Sequence, residues 1–144
     1  MPKIFLKYKK LTETAKAPVK AHPSDAGFDV FADESVIITP RETVSVNLGI
    51  AIQLNKGFFA DVRPRSGMSL NTGLKCMYGT VDNGYRGPIK AIFFNSGDQI
   101  ESINRGDKIA QLVVQHLPNC EPMEVDELSP SDRGENGFGS TGGK

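Results

Sequence analysis

Five short segments of this chain combine carboxylates, guanidinium groups, hydroxyls and glycine in patterns suited to gripping phosphate. The most telling is Arg133 to Lys144, RGENGFGSTGGK, with five glycines, Arg133, Ser140, Thr141 and one large apolar side chain, Phe138. Such a segment cannot build a core. Glycine leaves backbone N–H groups unshielded, and together with hydroxyls they form anion-binding concavities. Arg contributes a planar fork for phosphate oxygens, and a Phe ring can stack on a nucleobase. The composition fits an arm that closes over a nucleotide; it also fits a solvated glycine-rich terminus.

The other four segments interrupt apolar runs with charge. In Ser24–Val30, Asp29 enters a strand between apolar neighbours, and a half-buried carboxylate needs a partner. It can hold water around Mg²⁺, brace an Arg, or with Asp25 simply shape a turn. In Arg63–Ser69, Arg65, Ser66 and Gly67 lead into a short helix, where amides, a hydroxyl and a guanidinium suit phosphate; an ordinary Ser N-cap explains the same residues. In Gly79–Gly87, Asn83-Gly84 is a hairpin signal, flanked by Asp82, which can deprotonate a water, and Tyr85, which can present a flat face to a sugar. A hairpin with a polar edge is the plain alternative. In Gly106–Leu112, Gln111 faces away from Ala110 and Leu112, toward a polar cleft or toward solvent.

The elements that must position these residues read as strands. From Val44 to Leu54 every even position is large and apolar, which predicts one long strand with one buried face. Further strands are predicted at Ile4–Tyr8, Val30–Ala32, Val36–Thr39, Phe58–Arg63, Ile89–Phe94, Lys108–Gln115 and Glu124–Glu127, separated by turn formers. The one helical expectation is a short turn after Ser66, through Met68 and Leu70. Many short strands with closely spaced turns predict an all-β sandwich, jelly roll or distorted barrel. Composition shifts near Ser129, which divides a body over 1–128 from a flexible arm over 129–144.

The 144 residues suit one domain. A formal net charge of zero argues against broad attachment to nucleic acid or anionic membrane. No run approaches the roughly 18 apolar residues of a membrane-spanning helix, and MPKIFLKYKK lacks the apolar stretch of a signal peptide. Cys76 and Cys120 suit reduced thiols in a cytoplasmic setting. Without a CxxC pair or clustered His, a zinc site is not expected, and any metal would be a hard cation on oxygen.

Taken in order, AGFDVFA, RPRSGMS, GTVDNGYRG, GDKIAQL and RGENGFGSTG resemble the five motifs of the trimeric all-β dUTPases, spanning Ala26 to Gly142. The resemblance implies a distorted jelly-roll of the β-clip type and hydrolysis of dUTP to dUMP and pyrophosphate, in nucleotide metabolism that keeps uracil out of DNA. It implies that Asp82 activates the water that attacks the α-phosphorus. A carboxylate of ordinary pKa near 3.9 is ionised at neutral pH, and an adjacent triphosphate would raise it and improve it as a base. Tyr85 matches the aromatic packed beneath deoxyribose; Gly79, Val81 and Met77 lie in the segment that reads uracil, chiefly by main-chain groups. Arg65, Ser66, Gly67 and Gln111 match phosphate contacts. In the arm, Phe138 resembles the ring that covers uracil, Arg133 the γ-phosphate Arg, and Gly139, Ser140 and Thr141 the residues that wrap the phosphates. Mg²⁺ is implied, held mainly by substrate phosphates and water with support from Asp29. The family also implies a homotrimer with active sites at subunit boundaries.

Two departures stand out: Gly84 occupies the second acidic position of the usual Asp-x-Asp-Tyr, and Met68 stands where Leu is commoner. Two rival functions share the fold. A dCTP deaminase would need a Glu near the base, which GTVDNGYRG lacks; a regulatory protein would bind dUTP as a signal. In a viral source the location would be the host cytoplasm or nucleus.

Overall fold

The computed structural model describes residues 2–139. Among them are eleven strands and one short helix: β1 (Lys7–Lys10), β2 (Gly27–Phe31), β3 (Val36–Ile38), β4 (Thr43–Asn47), β5 (Ile50–Gln53), β6 (Phe58–Arg63), α1 (Ser66–Asn71), β7 (Leu74–Cys76), β8 (Gly79–Val81), β9 (Lys90–Asn95), β10 (Glu101–Ile103) and β11 (Lys108–His116). They form a four-stranded sheet in the order β2-β11-β6-β8, a three-stranded sheet β4-β9-β7, and the pairs β1-β5 and β3-β10. All these pairings are antiparallel. Every strand except β1 contributes a buried side chain to one continuous apolar core. The result is an all-β, jelly-roll-like fold.

Period-two alternation explains most of the core. In β9, Ala91, Phe93 and Asn95 point inward, while Lys90 and Ile92 do not. Asn95 is fully buried because its amide is spent: Nδ2 donates to the carbonyls of Ile38 (2.9 Å) and Gln99 (2.8 Å), and Oδ1 accepts from the Gly97 N–H (3.0 Å). Buried polar groups persist only when satisfied in this way.

The long strand expected from Val44 to Leu54 is divided. Its even residues are inward as expected, but Leu48-Gly49 breaks it into β4, paired with β9, and β5, paired with β1. Gly49 has φ +73°, and a Cβ there would lie 2.6 Å from Asp33 Oδ2 and 2.8 Å from Ala15 Cβ. Alternation records which face is buried, not which neighbour a strand chooses. The strand expected at Glu124–Glu127 is not formed; Leu117–Asn136 is strand-free and exposed, and no described edge pairs with it. Strands β7, β8 and β10, three residues each, lack enough alternation to have been foreseen. The helix lies where expected, although its N-cap is Arg65 rather than Ser66, without a side-chain cap bond.

The Asp33 carboxylate against Gly49 is the most buried charge among the described residues. Burial alone would raise its pKa. The hydroxyls of Thr12 (2.5 Å) and Thr14 (2.7 Å), followed by the Arg105 guanidinium (3.9 Å), more than offset this and hold it below the ordinary 3.8. A group whose folded pKa is lowered stabilises fully above its unfolded value and loses that contribution as pH falls through the folded value. We expect Asp33→Ala to cost about 2–3 kcal/mol at neutral pH in urea unfolding. Asp33→Asn should lose the part of the wild-type stability that disappears below 3.8; an unchanged acid limb would refute this.

Candidate active site

The segment Asp82–Ile89 joins strands of different sheets: β8 pairs with β6, and β9 pairs with β4 and β7. It is therefore not the two-residue hairpin that Asn83-Gly84 suggested. The turn is closed by Tyr85 N–H to the Asp82 carbonyl (3.0 Å), and neither Asn83 nor Gly84 has positive φ. Hairpin turns of the Asn-Gly type need positive φ to match strand twist; here the strands diverge and the need vanishes.

Their divergence opens a cleft of about 310 Å³ lined by Val62, Gly79–Asp82, Tyr85, Pro88–Lys90 and Ile92. Strand β8 is an edge strand, and β7 leaves β9 near Ile92, so Lys90 and Ala91 have a ladder partner on one side only. The cleft thus has apolar walls and main-chain edges free to bond a flat polar ligand. Tyr85 is fixed by Oη–H to the Pro88 carbonyl (2.8 Å). Gly87 leaves room for that ring, since a Cβ would lie 2.4 Å from Tyr85 Oη. Asp82, Gly79, Val81 and Tyr85 are brought together here. Met77 is not a lining residue: its N–H bonds the Ile92 carbonyl while its side chain is half exposed.

A second cluster lies on the opposite face of the four-stranded sheet. Strand β11 runs between β2 and β6, which sets Gln111 beside both Asp29 and Arg63, whereas the adjacent Leu112 sits beside the inward Val62. Arg65 Nε donates to Asp29 Oδ1 (3.1 Å), and Lys108 Nζ lies 3.6 Å from Oδ2. Gln111 Nε2 donates to the Pro64 carbonyl (3.0 Å), tying β11 to the turn that carries Arg65, Ser66 and Gly67. Gln111 packs against Gly27: a Cβ there would lie 2.2 Å from Gln111 Oε1 and displace that amide. With two cations to one carboxylate, and exposed Ser66 and Gly67 alongside, the cluster can attract an anion. Lys108 and Arg63 were not foreseen. Only strand register brings them here, although lysine opening a strand beside Gly-Asp was a weak signal.

The described part of the arm, up to Gly139, joins neither cluster. Arg133 Nε donates to the Asn136 carbonyl, Gly134 N–H to Ser131 Oγ (3.1 Å), and Phe138 is exposed at φ 49°. Gly139 follows at φ +92°. Ser140 and Thr141 lie outside the described residues.

The dUTPase family model matches residues 13–142. Similar curated proteins include the deoxyuridine 5'-triphosphate nucleotidohydrolase of Clostridium tetani (strain Massachusetts / E88), 43% identical over 144 residues with 99% of each chain covered. That of Thermobifida fusca (strain YX) is 45% identical over 143 residues, with 97% of this chain and 80% of the relative covered. Among solved structures, the Staphylococcus bacteriophage 80alpha dUTPase with dUPNHPP matches with TM-score 0.91 and 30% identity, over 96% of this chain and 98% of that one. It is presented with phage dUTPases that control transfer of virulence genes by a proto-oncogenic G protein-like mechanism. A variant of the phage phi11 dUTPase of S. aureus, with a structural Mg(II) ion, matches with TM-score 0.83 and 27% identity, over 88% of this chain and 99% of that one.

Cys76 ends β7 just before the Met77-Tyr78 corner, and burial pushes its thiol up to about 11. Cys120 is exposed. Thiolate is the reactive form, so a thiol reagent at pH 8 should label one cysteine per folded chain quickly, located by peptide mass spectrometry at Cys120. Equal labelling of Cys76 would contradict this burial.

Proposed function

The chain belongs to the dUTPase family and hydrolyses dUTP, and from that premise we propose how its own residues do so. The observation that carries the reading is the placement of Asp82 on the rim of a cleft walled by Tyr85 and by the free edge of β8. Uracil enters the cleft and bonds main-chain groups of Gly79 and Val81. Deoxyribose packs on Tyr85, leaving no room for a 2′-hydroxyl. Asp82 orients a water and takes its proton as the oxygen attacks the α-phosphorus; pyrophosphate leaves. Such transfer depends mainly on positioning and charge neutralisation.

The phosphates are met by Arg65, Ser66, Gly67 and Gln111. Within one chain Gln111, bonded to the Pro64 carbonyl in the turn before Arg65, stands on the sheet face opposite Val62, which lines the cleft of Asp82. One nucleotide spanning both groups therefore favours a site built between copies, in a closed homotrimer. The arm then adds Phe138 over the base and Arg133, Gly139, Ser140 and Thr141 around the phosphates, as a lid that excludes water.

For Mg²⁺ the donor set is informative. Among the described residues no three His, Cys, Asp or Glu are grouped to hold a metal. Both oxygens of Asp29 already face cations, Arg65 and Lys108. The residues fit a magnesium ion that arrives with the triphosphate as part of the substrate, where it would offset phosphate charge. Asp29 supports it indirectly, by holding Arg65. The unpaired cysteines support a reducing, cytoplasm-like location.

A deaminase is disfavoured because the ionisable side chains lining the cleft are Asp82, Tyr85 and Lys90, with no Glu. A signalling role has one observation in its favour, the phage relatives presented as controlling gene transfer, and it can coexist with hydrolysis. With Mg²⁺, the protein should release pyrophosphate from dUTP and scarcely from dTTP, dCTP or UTP; dCTP conversion to dUTP would establish the deaminase, and binding without release the sensor. Asp82→Asn should lower turnover about 10²- to 10⁴-fold with nucleotide still bound. Deleting Ser131 onward should abolish activity and leave the melting temperature unchanged. Co-refolding the Asp82→Asn and Arg65→Ala chains should restore activity that neither has alone, and no recovery would argue against a shared site.

A further inference from the structure

Asp82 is the first residue past the β6–β8 ladder, whose last pair is Val81 with Ala60, yet a general base must keep its place to a fraction of an ångström. The anchor is the next residue. Asn83 Nδ2 donates to the carbonyls of Phe58 (2.8 Å) and Asn55 (3.0 Å), with that of Leu54 at 3.5 Å. Leu54 and Asn55 lie in the turn between β5 and β6 and Phe58 opens β6, and the three oxygens converge on the one amide.

The receiving turn is itself held. Phe5 N–H donates to Asn55 Oδ1 (3.2 Å), Leu117 N–H donates to the Gly57 carbonyl (2.8 Å), and Gly57 takes φ +91°. On the other side, Arg86 Nη1 donates to the carbonyls of Asn83 (2.6 Å) and Tyr85 (3.2 Å). Asn83 is thus gripped through both side chain and backbone, and Asp82 shares its peptide bond. An amide NH₂ has two hydrogens to give; a flipped amide would set Oδ1 against three carbonyls.

We propose that Asn83 is a positioning residue for dUTP hydrolysis: its amide clamps the Asp82–Tyr85 turn onto the Leu54–Phe58 turn and so sets where the Asp82 carboxylate stands in the cleft. The inference rests on Asp82 being the general base. Tyr85 has its own tie to Pro88, so nucleoside binding is largely independent of the clamp. Substitutions then follow the donor count. Asn83→Ser keeps one donor, Asn83→Ala none, and Asn83→Asp turns a carboxylate on three oxygens.

The test is steady-state turnover of dUTP by the full chain, with dUMP affinity and melting temperature measured in parallel. Loss of a near-attack geometry predicts kcat falling in the order wild type, Ser, Ala, Asp, by about tenfold for Ala and about a hundredfold for Asp. KM and dUMP affinity should stay within about threefold. In the Asp82→Asn background the same Asn83→Ala change should cost nothing further, because there is no base left to position. If Asn83→Ala does not fold, the Ser and Asp82→Asn/Asn83→Ser variants give the same comparison. The clamp is overturned if Asn83→Asp keeps wild-type kcat, if kcat and dUMP affinity fall together, or if the loss persists without the base. Full activity of Asp82→Asn would instead remove the general-base assignment on which the clamp depends.

Discussion

Backbone hydrogen bonding governs this molecule most at the place where it is left incomplete. Strand β8 is bonded to β6 along one edge only, because the next strand in sequence, β9, belongs to another sheet. A strand edge without a partner is a liability in most proteins, and buried amides left unpaired are costly. Here the two diverging strands turn that deficit into a cleft whose walls are apolar and whose rim offers main-chain donors and acceptors. Asp82, Tyr85 and the open edge of β8 all meet at the cleft because of this one divergence.

Charge is arranged with equal economy. Asp29, within β2, and Asp33, just past its end, have different fates because of what meets them. Asp33 is enclosed, takes two hydroxyl bonds and stays ionised as a structural knot against Gly49. Asp29 is partly exposed and shared by Arg65 and Lys108, so it restrains cations that remain available to an anion. Exposed ion pairs contribute little to stability. What the Asp29 pairs provide is orientation of the guanidinium.

Several features were readable without coordinates. The inward faces of β4, β5, β6, β9 and β11 appear as alternation in the residues themselves, because side chains on a strand point to opposite sides in turn. The short helix is legible after Ser66, through Met68 and Leu70, and forms over Ser66–Asn71. The order of AGFDVFA, RPRSGMS, GTVDNGYRG, GDKIAQL and RGENGFGSTG marked the family. By contrast, the three-residue strands β7, β8 and β10 carry no legible alternation, and Asn83-Gly84 signals a hairpin that does not form, because a turn signal does not say which partners its flanks have.

Residue types, being local, established what chemistry the chain could attempt: one carboxylate with a neighbouring aromatic, guanidinium groups beside glycine and serine, and an arm too polar for a core. Position was decided by contacts across long sequence separations. Pairing of β11 with both β2 and β6 brought Gln111 beside Asp29 and Arg63, and the reach of Asn83 to Leu54, Asn55 and Phe58 anchored the turn that bears Asp82. No spacing rule encodes such meetings, since they depend on which strand edges remain open once the core has closed.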